Sequence, residues 1–83
     1  MSQHTPNELT EIFKRDRDLL TRLKADDAHY VKLADEYHAV NREVHRIESE
    51  TEAASDERAE ALKKQRLGLL DRITAIVTSA RGV

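Results

Sequence analysis

The sequence predicts an all-α protein: an antiparallel helical hairpin with a coiled-coil heptad seam, preceded by a shorter N-terminal helix. Three observations predict it. Two long stretches repeat their core-type residues in steps alternating three and four, first Tyr30, Leu33, Tyr37, Val40, Val44, Ile47, Thr51, Ala54 and then Ala59, Leu62, Arg66, Leu69, Ile73, Ile76, Ala80. A mean step of about 3.5 marks helices that wind around a neighbour. Three helix-start signals divide the chain, and no strand-like alternation competes with them. Finally, 83 residues with one Pro, two Gly and no Cys leave room for one small domain, spanning 1–83.

The first element is an N-terminal helical arm over 6–24. "TPNE" puts Thr5 at an N-cap, Pro6 at the first helical position and Glu8 where a capping box wants a carboxylate. Leu9, Ile12, Phe13, Leu19, Leu20 and Leu23 share roughly one face, with Asp16 interrupting it, and Glu11 with Arg15 and Asp18 with Arg22 pair at four-residue spacing. The second element, hairpin helix A over 27–54, is capped by Asp26 or Asp27. The third, hairpin helix B over 56–80, is capped by Ser55 or Asp56, with Glu57 and Glu60 following. Only "TEAASDE" separates these two runs, too short for anything but an antiparallel turn.

Folding at Ser55 sets Ile47 near Leu62, Val44 near Arg66, Val40 near Leu69, Tyr37 near Ile73 and Leu33 near Ile76. Charge agrees with this: residues 27–55 carry seven acids and three bases, whereas 56–83 carry six bases and four acids. Arg66 therefore enters the seam near Glu43 and Glu48. Its expected role is structural, with the stem packed across Val44 and the guanidinium on a rim carboxylate, fixing alignment; ligand binding is the alternative. Lys63 and Lys64 flank the seam on its outer side and are expected to be solvated.

Composition excludes several classes. The lack of Cys removes disulfides and fits a reducing compartment. The N-terminal residues do not read as a signal peptide, and no apolar run approaches the ~20 residues of a membrane span, so a cytoplasmic location without membrane association is expected. His38 and His45 lie seven residues apart, about 10.5 Å along one helix and too far to share an ion, so no metal site is expected. With no Cys and no Gly-rich cradle, neither catalytic residues nor cofactor are expected, and a two-helix hairpin offers no pocket for a small-molecule substrate.

Two charged features remain. Lys63, Lys64, Arg66 and Arg72 support a rival reading as a small nucleic-acid-binding protein. Against it stand a net charge of −2 and the interleaved Asp16, Asp18, Glu60 and Asp71. Glu48, Glu50, Glu52, Asp56 and Glu57 crowd one tip of the hairpin, a candidate contact for a basic partner. Glu48 and Glu52 repel at four-residue spacing, which stability alone does not favour.

The run "DAHYVKLADEYHAVNREVHRIES", then "ASDE", then "LKKQRLGLLD" resembles the YdcH-like family of small bacterial proteins, a domain of unknown function. Asp27, His29, Tyr30, Leu33, Tyr37, His38, Arg46, Ile47 and Glu48 carry the resemblance, followed by Ser55, Asp56, Leu62, Lys63, Lys64, Arg66, Leu67 and Asp71. The resemblance implies a helical hairpin with coiled-coil character and no established catalytic residue or cofactor. One departure is Leu70, where the family usually has Lys before its aspartate. With Val77, Leu70 widens the apolar stripe of the third helix so that it faces two neighbours. One is the second helix; the other is either the first helix of the same chain or another copy. The expected function is thus a non-enzymatic, self-associating interaction module, with a homo-oligomer or a helical protein as partner. Leu62, Leu69, Leu70, Ile73, Ile76 and Val77 are assigned to assembly and Arg66 to register.

Overall fold

The computed structural model describes residues 6–82, which form four helices and no strand: α1 (Leu9–Ile12), α2 (Arg17–Asp26), α3 (Ala28–Glu48) and α4 (Asp56–Arg81), with a 3-10 turn at Lys14–Asp16 between the first two. The molecule extends 43 × 30 × 19 Å. The most extensive packing is between α3 and α4, and α2 lies against both.

Local chemistry explains most of the boundaries. Asp27 is extended, ends α2 and starts α3; its side chain accepts from the Tyr30 N–H at 3.0 Å. Ser55 does the same for α4, accepting from the Arg58 N–H at 3.1 Å, with Asp56 and Glu57 in the first turn where the helix dipole favours them. Helix α3 stops at Glu48, whereas the heptad spacing runs on to Ala54. Glu50 takes a left-handed φ of 63°, and the N–H groups of Glu50 and Thr51 donate back to the carbonyls of Ile47 and Arg46. This closes the helix as a glycine usually does. The Thr51 hydroxyl donates to the same Arg46 carbonyl at 3.0 Å, so Thr51 caps the helix instead of extending the seam.

The N-terminal arm is not one helix. The Thr5 cap lies outside the described residues. Pro6 and Asn7 form a turn, and the helix starts at Leu9 with Glu8 as its extended N-cap residue. The arm breaks again at Phe13, whose backbone (φ −108°, ψ 53°) is not helical. A straight helix would have carried Asp16 in the middle of the buried stripe. The break buries Leu9 and Phe13 on one side and Leu20 and Leu23 on the other, while Asp16 accepts from Nε and Nη2 of Arg81 at 3.3 and 2.7 Å. The arm thus packs within its own chain, sharing one core with α3 and α4.

That core runs from Tyr30, Leu33, Tyr37, Val40 and Val44 of α3 to Leu69, Ile73 and Val77 of α4. On α4 the buried residues step by four. Val77 is fully enclosed and Ile76 only half-buried, the reverse of the alternation expected from spacing. Helix α2 lies against α4 as well as α3 does, so the face that α4 buries near its end is not set by its pairing with α3 alone.

Candidate functional site

The polar centre of the molecule is Asn41. Only 1% exposed, it is the one polar residue in the buried set of the described residues. Its Nδ2 donates to the Pro6 carbonyl at 2.8 Å, and its Oδ1 accepts from Nη1 of Arg66 at 2.9 Å. One turn earlier on α3, the Tyr37 hydroxyl donates to the Asn7 carbonyl at 2.7 Å. Beside it, Nδ1 of His38 lies 3.2 Å from Glu8 Oε2. Residues 6–8 are therefore strapped across α3 by three side chains, and Asn41 joins the strap to α4. Asn7 holds a left-handed φ of 64°, a conformation Asn tolerates better than most residues. These bonds explain why the Pro6 start signal does not propagate into a helix: its carbonyl and that of Asn7 are engaged by α3.

Burial pushes the Tyr37 phenol above its ordinary pKa of 10.0, with Arg66 pulling it down and Glu8 pushing it up; burial alone raises Tyr30. Burial thus favours the neutral phenol at both positions, and at Tyr37 that phenol is the donor to Asn7.

The expected partners of Arg66 are taken by others. Glu43 pairs with Arg58, and Glu48 pairs with Lys63 at 3.4 Å. Arg66 is half-buried and turns to Asn41. Lys63, expected to be solvated, is engaged, and so is Arg66. The basic run that suggested a phosphate grip thus has two of its cations held by the fold. At the acidic tip Glu52 pairs with Arg46 at 3.2 Å, while Glu50, Asp56 and Glu57 are exposed.

The residues assigned to assembly divide. Leu69, Ile73 and Val77 are buried in the core of their own chain, and Leu62, Leu70 and Ile76 are half-buried against it. The open apolar surface lies elsewhere. Ile12 at 40% and Leu67 at 59% are the exposed large hydrophobics of the described residues. Both line one depression of ≈ 200 Å³, with Asn7, Tyr37, Lys63, Arg66 and Leu70 around them. The spacing pattern leaves Leu67 out because it falls outside the seam. Asn41 is missed because it stands one position past Val40 and its partner in the strap is 35 residues away. The one available signal was an uncharged amide adjoining a seam position in a helix otherwise flanked by charges.

Among the described residues, no group of three or more His, Cys, Asp or Glu is arranged to hold a metal ion. Among the described residues, no helix is long and apolar enough to cross a membrane. Compared with known proteins, residues 31–77 match a family profile described as "Protein of unknown function (DUF465)". No curated protein and no solved structure matches the chain.

Proposed function

The chain belongs to the DUF465 family, the YdcH-like small proteins of unknown function, and from that starting point we propose that it is a non-enzymatic helical module that works by associating with itself. The observation that carries this reading is the pairing of Ile12 and Leu67 at one depression. A chain that encloses Leu9, Phe13, Leu20, Leu23 and the α3 and α4 faces leaves two large apolar side chains together in water.

In this reading α3 and α4 are the two arms of an antiparallel hairpin with a coiled-coil-like seam. Support comes from the seven-residue connection 49–55 and from the bonds of Arg58, Lys63 and Arg66 to residues of α3. The hairpin is the rigid scaffold that presents the surface, and Arg66 fixes its register through Asn41. The buried polar groups serve the fold: Tyr37 and Asn41 direct their hydrogen bonds into the strap, which supports a binding role over a chemical one. A Cys-free composition supports a reducing, cytoplasmic setting.

Sedimentation equilibrium of the full chain over a concentration and salt series, with and without a short DNA duplex, tests the reading. The expected result is a reversible oligomer at every salt and no DNA bound. A monomer at all concentrations overturns it. DNA binding that falls steeply as salt rises transfers the assignment to nucleic acid.

A further inference from the structure

Helix α4 buries no residue before Leu69, so its first half presents a long solvent-facing surface. On it, Leu67 is the apolar high point, with Lys64 and Asp71 on either side. Along the helix axis Lys64 lies about 4.5 Å to one side of Leu67 and Asp71 about 6 Å to the other. Both are exposed, and neither has an ion-pair partner among the described residues, unlike the neighbouring Lys63. Two opposite charges at nearly equal distances from one apolar residue form a self-complementary pattern: turned end for end, the surface matches itself.

From this pattern, and resting on the self-association proposed above, we infer that two copies of the chain pack α4 against α4 in antiparallel sense, about a two-fold axis at Leu67. Each Leu67 then meets its counterpart beside the depression that Ile12 and Leu70 line. Lys64 of each copy lies alongside Asp71 of the other, so the symmetry forms the ion pair twice. A parallel arrangement would set Lys64 against Lys64 and Asp71 against Asp71. Charge thus selects the antiparallel sense while Leu67 supplies the apolar contact. Further out, Glu60 meets the neutral Thr74 of the other copy, so no like charges oppose across the axis there.

The test compares the association constant of the wild-type chain with those of Leu67→Asp, Lys64→Glu and the double variant Lys64→Glu/Asp71→Lys, by sedimentation equilibrium up to about 1 mM, the range that reaches weak complexes. Circular dichroism checks that the helices are intact, as expected for exposed positions. Leu67→Asp abolishes the dimer. Lys64→Glu weakens it about tenfold or more by making two pairs repulsive, and the double variant restores it. A wild-type monomer throughout overturns this interface together with the self-association it rests on. A wild-type dimer that Leu67→Asp leaves intact, or charge reversals that the double variant does not rescue, overturns the α4 interface alone and leaves self-association standing on another surface.

Discussion

Helices α3 and α4 are similar in kind and opposite in use. The shorter, α3, has 21 residues and buries seven of them, whereas α4 has 26 and buries three. Those three, Leu69, Ile73 and Val77, all fall in its second half. The reason is position: α3 is covered on one side by α4 and on another by the N-terminal arm and its strap, while α4 packs on α3 and meets the arm only toward its C-terminal end. Central helices of small domains hold the fold together, and peripheral ones are free to carry function. With one core of 13 buried apolar residues among those described, this chain has little to spare on the α3 side and a free surface on the other.

The largest effects should follow that division. Ile73, 0% exposed, sits where α4 still has neighbours. Ile73→Ala is expected to cost about 2–5 kcal/mol, a large share of the ~5–15 kcal/mol that holds a domain folded. Leu62→Ala, in the open half of the same helix and only half-buried, should cost less than half as much. Urea unfolding of both variants at low protein concentration measures the contrast. Equal losses would mean that α4 is packed evenly along its length.

Next in size is the polar node. Asn41→Ala removes the donor to the Pro6 carbonyl and the acceptor of Arg66 together. An unsatisfied buried group costs about 1–3 kcal/mol. The loss should be local: amide exchange quickens through residues 9–26, whose anchoring strap is released, while Leu69–Val77 of α4 keeps its protection. Uniform loss of protection would place the strap inside a single cooperative unit.

These two tests bear on what was legible beforehand. The repeat from Tyr30 to Val44 could be read directly, because every member of that series packs on a neighbour and the period reports the face. Asp27 and Ser55 were legible as caps because capping needs only a side-chain oxygen at the right position. The strap was not. Its bonds join residues 30 and 35 positions apart, and no local pattern reports a carbonyl that a distant side chain will claim. The end of α3 was hidden for another reason: Glu50 adopts the left-handed conformation that a glycine would have announced. At the candidate surface, the charges were visible and misassigned. Lys63 and Lys64 both read as solvated, yet Lys63 pairs with Glu48, and Arg66, read as reaching a rim carboxylate, turns to Asn41 instead; Leu67 escapes notice because seam logic ranks residues by period and not by what covers them.

A smaller effect distinguishes the two helices by pH. Tyr30 and Tyr37, both on α3, have pKa values raised above 10.0 by burial. The fold therefore favours the protonated phenol, and unfolding releases protons more readily than the native state does. Stability from these groups is fully present below about pH 10 and is lost as pH rises through the folded values. Urea midpoints between pH 8 and 11 should fall at the alkaline end, and Tyr37→Phe should shallow that fall while lowering stability at pH 8 by about 1 kcal/mol, the worth of the hydroxyl's bond to Asn7. An unchanged slope in Tyr37→Phe would assign the alkaline loss to Tyr30.

The smallest expected change has the opposite sign, and it tests the open half of α4 most directly. Nothing lies within 4 Å of where a Cβ on Gly68 would stand. Gly68→Ala therefore meets no obstacle and removes a helix-interior glycine, so it should stabilise the monomer, measured at low concentration, by up to about 1 kcal/mol. The mirror substitution on α3, Ala34→Gly, carries the same propensity difference with reversed sign and also strips a methyl from the core, since Ala34 is buried. Its loss should exceed the gain at Gly68. Propensity alone decides the outcome on the free surface, and propensity plus packing decides it on the covered one. If Gly68→Ala instead destabilised the monomer, something within the chain would have to cover that face, and the surface offered to a second copy around Leu67 would not be open.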